Sequence, residues 1–100
     1  MAKFHLTQRA VDDLDGIWNY TCSTWSEKIA DEYYRGIVRE LRQITNQEYM
    51  NLDKKYNEIQ SGLYGHRFKH HIIFYDFLTD GDVRIIRILH EMMDFKSRLS

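Results

Sequence analysis

Val83-Arg-Ile-Ile-Arg-Ile-Leu-His90, the run His66-Arg-Phe-Lys-His-His-Ile-Ile-Phe-Tyr-Asp-Phe77 before it, and the Thr79-Asp-Gly-Asp82 link between them decide the fold. Both runs are rich in aromatic and β-branched residues, which suit a pleated, half-buried surface. Asp80-Gly81 between two such runs is a strong hairpin signal, because the turn needs residues that tolerate positive φ. Strict alternation along the second run puts Arg84, Ile86, Ile88 and His90 on one face and Val83, Ile85, Arg87 and Leu89 on the other. Lys69-His70 is a poor turn pair, so the first run reads either as a hairpin of its own or as one long bent strand.

Upstream the apolar period changes. Lys3 to Leu6 alternates like a brief strand. Thr7 stands as an N-cap, and Ala10, Leu14, Ile17 and Trp18 recur at helical spacing, with Val11 beside them and Asp12 and Asp13 in the early turns. This helix is expected to fade near Thr21 to Thr24. Ser26 caps a second helix, in which Ala30, Tyr33, Tyr34, Ile37, Val38, Leu41 and Ile44 form a wide apolar stripe. Gly36 either weakens that helix by roughly 1 kcal/mol or admits a close neighbour. The short Thr21–Trp25 link predicts an antiparallel helical hairpin. Positions 46–62 are the least regular and read as a helical turn and a loop. The class is therefore α+β: one domain over residues 1–100, with a short leading strand and a helical hairpin packed on an antiparallel meander of about three strands.

Composition narrows the function. At 100 residues and 43% apolar content the chain can bury one modest core. A net charge of −1 argues against affinity built on neutralising many phosphates and against direct sequence-specific nucleic-acid binding, while leaving room for a local basic patch. The lone Cys22 cannot form an internal disulfide, which fits a reducing cytoplasm. No run approaches membrane-spanning length, and the first residues hold no apolar signal core. The expectation is a soluble, cytoplasmic protein without a membrane partner.

Several residues carry candidate chemistry. His90, near strand-borne arginines and followed by Glu91 and Asp94, reads as a general acid or base, or as a sheet-end histidine bonded locally. His66, His70 and His71 cluster in sequence but match no metal-ligand spacing, so no metal and no cofactor is expected. Arg67, Lys69, Arg84 and Arg87 read as a basic surface for an anionic partner or as an ordinary solvated sheet face. Trp18, Tyr33 and Tyr34 read as core first and contact second. No phosphate loop, zinc spacing or nucleophile elbow appears.

Gly62-Leu63, Arg67, His71-Ile72-Ile73-Phe74-Tyr75 and Val83 through Asp94 together resemble the ParE-like toxins of the RelE/ParE superfamily. Leu14 to Tyr20 with Trp25 resembles the family's first helix and turn, and Tyr56-Asn57-Glu58-Ile59 its approach to the sheet. The similarity covers nearly the whole chain. It implies two helices on a curved antiparallel sheet. It also implies a non-enzymatic toxin that binds DNA gyrase through its A subunit, blocks replication, and is held in a hetero-oligomer by a ParD-like antitoxin. On that reading Arg67, Arg87, His90, Glu91, Met92, Met93 and Asp94 form the target-binding surface, and Trp18, Tyr33, Tyr34 and Tyr75 meet the antitoxin. The alternatives are a ribosome-dependent mRNA endonuclease of the RelE type, with Glu58, Arg67, Arg84 and His90 as its catalytic set, and a non-toxic antitoxin-binding relic. Two positions depart from the family: Met92 stands where many members carry Arg, and Asn46-Gln47 where a proline is common.

Overall fold

The computed structural model describes residues 3–46 and 53–99. In chain order it contains β1 (Phe4–Leu6), α1 (Gln8–Thr24), α2 (Glu27–Thr45), β2 (Lys54–Lys55), β3 (Tyr64–Phe68), β4 (His71–Phe77), β5 (Val83–His90) and α3 (Phe95–Leu99). The caps act as the sequence predicts. Thr7 Oγ1 accepts from the Ala10 N–H at 3.1 Å, and Ser26 Oγ accepts from the Ile29 N–H at 3.1 Å. α1 ends at Thr24, within the expected range, and the Trp25 N–H closes its last turn on the Thr21 carbonyl. Only Trp25 and Ser26 then separate the two helices.

The sheet has five strands in the order β1-β5-β4-β3-β2. It is mixed rather than wholly antiparallel, because β1 runs parallel to β5. These two strands lie at opposite ends of the chain, so no tight turn forces them antiparallel. β2 is a two-residue edge strand on β3, inside the stretch read as a turn and loop. Its two lysines carry no apolar alternation, which hides the strand and also guards the edge. The helical turn expected within 46–62 is present after β2, where the Gln60 N–H donates to the Tyr56 carbonyl at 3.1 Å; positions 47–52 lie outside the described residues. Lys69-His70 is indeed a turn: Phe68 pairs with His71 across it, and Lys69 sits at φ 53. That left-handed backbone costs roughly 1 kcal/mol. The Lys69 ammonium lies 5.5 Å from the Phe68 ring centre and 5.6 Å from that of Tyr33, which offsets part of the cost. At the other hairpin Gly81 adopts φ 90, and Asp80 accepts from the Asp82 N–H at 2.9 Å.

The main departure from simple alternation is a bulge. Phe74 pairs with Arg87 but Tyr75 pairs with Ile85, leaving Ile86 as the extra residue in β5. The pleat therefore reverses within the strand. Val83, Ile85 and Ile88, rather than Val83, Ile85 and Arg87, share a face, and they pack under the helices with Leu14, Ile37, Leu41, Ile44, Ile73 and Tyr75. Leu89 turns the other way, into a second cluster of Tyr56, Leu63, Ile72 and Phe74 covered by Phe95 and Leu99 of α3. Both faces of the sheet are thus covered, each fully buried large side chain contributing about 1.5–3 kcal/mol. Gly36 serves close approach: a Cβ there would stand 2.6 Å from the Phe68 ring, so α2 and β3 meet where a side chain is missing. No described helix is long and apolar enough to cross a membrane.

Beyond the end of β1, the β5 edge is taken over by a side chain. Asp13 of α1 accepts from the Ile88 N–H at 2.9 Å and from Arg87 Nε and Nη2 at 2.8 and 2.9 Å. Arg87 also donates to the Arg98 carbonyl of α3 at 3.0 Å. With side-chain exposures of 15% and 14%, the Arg87–Asp13 pair is largely desolvated, and removing one partner leaves the other uncompensated. Asp13→Ala is expected to lower unfolding stability by about 3 kcal/mol, read as a shift in urea midpoint. A change under about 0.5 kcal/mol would show the clamp to be energetically idle.

Candidate functional site

Three segments converge at one end of the sheet: the Lys69-His70 turn, the end of β5 at His90, and the loop Glu91–Asp94 leading into α3. Glu91 organises them. Its carboxylate takes Arg67 Nη1 at 2.7 Å and His70 Nδ1 at 2.6 Å, and its N–H donates to the His70 carbonyl at 2.8 Å. The Arg67 guanidinium and the His70 ring hold the Glu91 carboxyl down at about 2. The Met92 N–H donates to His90 Nδ1 at 3.1 Å, so the neutral His90 ring carries its proton on Nε2. His71 Nδ1 meets the Tyr33 hydroxyl at 2.6 Å, and the His71 ring lies edge-on to His90 with centroids 5.3 Å apart. Burial, then the neighbouring His90 and His70, push His71 down to about 4. Burial likewise pushes the Tyr33 hydroxyl up.

Beside this end lies a groove of about 590 Å³ between the helical hairpin and the sheet. Its floor and walls include Ile17, Tyr20, Trp25, Ile29, Tyr33, Ile88 and Met93, with His70, His71 and His90 at its polar end. Tyr20 is 66% exposed and Trp25 71%, and Ile29 and Met93 are also exposed. Large apolar side chains concentrated in one open groove leave a sizeable apolar surface uncovered.

Arg67, His90, Glu91, Met92 and Met93 are brought together, with Met92 84% exposed. Arg87 is not an exposed member of that surface, because its guanidinium is spent on Asp13 and the Arg98 carbonyl. Asp94 stands before α3, accepts from Ser97 Oγ at 2.7 Å and is held below the usual carboxylate range by that bond. Tyr33 lines the groove, Tyr34 is exposed on α2 but does not line it, and half-buried Trp18 donates to Asp31 at 2.9 Å, tying α1 to α2. Tyr75 cannot present a contact surface. Its side chain is wholly buried, its hydroxyl donates to Asp53 at 2.5 Å, and the other Asp53 oxygen takes His66 Nδ1 at 2.8 Å. His66 Nε2 meets Glu40 at 3.0 Å. This polar network ties α2 to β3, β4 and the start of β2, and no sequence spacing announces it.

The proposed nuclease set does not assemble. Arg84 lies six positions before His90 on β5, roughly 20 Å away along a strand, and is paired with Asp76 at 2.5 Å. Glu58 is exposed in the turn after β2, three strands across the sheet from β5. Among the described residues no group of three or more His, Cys, Asp or Glu is placed to hold a metal ion.

Known proteins agree with this architecture. The family model described as ParE toxin of type II toxin-antitoxin system, parDE, matches residues 4–95. The chain is 31% identical to Toxin ParE1 of Caulobacter vibrioides over 99% of each chain. It is 26% identical to Toxin ParE1 of Mycobacterium tuberculosis over 98% of each. A solved structure titled as the chromosomal ParDE TA system from P. aeruginosa superposes with a TM-score of 0.73 at 17% identity, covering 90% of this chain and 96% of that one.

Two acid-titrating groups at the sheet end predict separate windows of pH-dependent stability. His71 is lowered from 6.5 to about 4, so the unfolded chain binds the extra proton and stability falls as pH drops from 6.5 towards 4. Glu91 is lowered from 4.5 to about 2, so its contribution is lost between those values. Urea midpoints measured against pH should show both limbs, with His71→Asn flattening only the upper one and Glu91→Gln only the lower.

Proposed function

Because the chain belongs to the ParE toxins of type II toxin–antitoxin systems, we propose that it inhibits DNA gyrase by binding it, through the A subunit, and is neutralised by a ParD-like antitoxin. The observation that carries this reading is the open apolar groove that ends at the braced residues His90 to Met93. It is a surface built for holding a partner. The separation of Glu58, Arg84 and His90 favours a binding mechanism over phosphodiester cleavage. Acting on gyrase places the protein in the cytoplasm.

The two surfaces divide the work. The antitoxin's tail, folding on the toxin, lays apolar side chains into the groove against Trp25, Ile29 and Tyr33, where they bury area without displacing core. Gyrase meets the end bearing Arg67, His90, Glu91, Met92 and Met93. That end is pre-set by the Glu91 and Met92 hydrogen bonds, so little ordering is lost on contact.

A supercoiling assay with purified gyrase tests the target: inhibition with trapped cleaved DNA is expected. Full supercoiling at micromolar toxin without cleavage complexes removes gyrase as the target. Met92→Arg, adding a cation at an exposed site, should strengthen inhibition several-fold. Replacing Arg67, His90, Met92 and Met93 together with Ala should abolish it. For the antitoxin, Trp25→Ala with Ile29→Ala is expected to weaken binding in titration calorimetry at least about ten-fold, since exposed aromatic anchors dominate such interfaces. Unchanged affinity would move the antitoxin off the groove.

A further inference from the structure

The arginines of the sheet and those of α2 differ in one respect. Arg67, Arg84 and Arg87 are each matched by a carboxylate, from Glu91, Asp76 and Asp13. Lys28, Arg35, Arg39 and Arg42 are all exposed, and among the described residues no ion pair or hydrogen bond engages any of their side chains. Their spacings of seven, four and three place them within a sector of about 60° on α2, at about 100° per residue. The buried stripe of Ala30, Ile37, Leu41 and Ile44 lies opposite. Asp31 and Glu32 border the row on either side without an ion pair to it, so four cations against two carboxylates leave a local excess of two positive charges. The row is about 21 Å long, from fourteen residues at about 1.5 Å each.

We infer that this outer face of α2 is a sequence-independent contact for the phosphate backbone of duplex DNA. Three of the four cations are arginines, whose planar forks grip phosphate oxygens in pairs. A duplex offers one phosphate per about 3.4 Å of axis on each strand, so a 21 Å row runs beside several. The ridge also lacks what a protein partner would need. The exposed apolar residues of α2 are Ile29 and Tyr34, each about 110° round the helix from the ridge's centre. A protein interface draws its energy from such anchors and keeps charges at the rim, whereas backbone contact with nucleic acid is charge-driven and polar. With the chain at −1 overall, the ridge adds a weak local grip rather than free-standing affinity. It therefore acts when another contact already holds the toxin beside DNA. In that last respect the inference rests on the gyrase reading, since gyrase would supply the DNA.

The test needs no gyrase, so its failure and the failure of the target assignment are separate results. Binding of a labelled, random-sequence duplex by the purified full chain is followed by fluorescence anisotropy across a salt series. A plot of log affinity against log salt is expected to have a slope near −3.6, from about 0.9 per neutralised phosphate and four contacts. The triple variant Arg35→Gln, Arg39→Gln, Arg42→Gln should bind at least about ten-fold more weakly at low salt, with a slope near −1. The matching triple change to Lys should restore most of the slope. Because all three positions are exposed, circular dichroism should show both variants folded. No duplex binding by the unaltered chain at low salt would overturn the proposal. So would an unchanged slope in the Gln variant, or a polyglutamate peptide that binds the ridge and is not displaced by duplex.

Discussion

One carboxylate sets the relation between the helical hairpin and the sheet. Asp13, on the sheet-facing side of α1, substitutes for a missing strand at the β5 edge by accepting from the Ile88 N–H, and it neutralises Arg87 in the same geometry. β1 is too short to cover that edge, since its ladder stops at Leu6 opposite Ile85. Without Asp13 the edge would expose an unsatisfied donor beside an unpaired guanidinium, in a place where water is largely excluded. Arg87 passes the constraint on to α3 through the Arg98 carbonyl, so one side chain fixes α1, β5 and the C-terminal helix together.

The bulge at Ile86 gives the clamp its second consequence. By reversing the pleat after Ile85 it sends Ile88 into the core and lets Arg87 reach Asp13. Regular alternation would place Arg87 on the face of Val83 and Ile85, where a guanidinium would have to lie among leucines and isoleucines. A strand with an arginine at that position needs either an open face or an irregularity, and here it has the irregularity. Bulges of this kind re-aim side chains at sheet edges.

Much of this fold was legible in the sequence because it depends on local chemistry. Thr7 and Ser26 mark the helix starts, the stripe from Ala30 to Ile44 marks the buried face of α2, and Asp80-Gly81 marks the β4–β5 turn. The parts that were not legible depend on distant partners. The bulge leaves no trace in a run of eight strand-forming residues, and β1 gives no sign of which strand it joins or in which direction. The Asp53–His66–Glu40 network is assembled from three separate segments, so His66 resembles any other strand histidine until Glu40 is placed beside it. The candidate site divides in the same way. His90, Glu91 and Asp94 were visible as a polar end to an apolar strand. The groove was not, because Tyr20 and Ile29 sit at helical positions that equally suit a core and Trp25 stands in the link between the helices, and only the packed hairpin shows that they face outward.

Net charge proved the least informative number, for a physical reason. It sums over cations that are already occupied and cations that are not. The sheet arginines, which stand out in the sequence because they interrupt apolar strands, are there because carboxylates elsewhere in the fold hold them; a charge inside or beside a core persists only when paired. The arginines of α2 attract no notice in the sequence because a charged outer helix face is ordinary, yet their side chains keep their hydrogen-bonding capacity unspent. That difference in pairing, rather than the total of −1, sets where on this chain positive charge is left open to solvent.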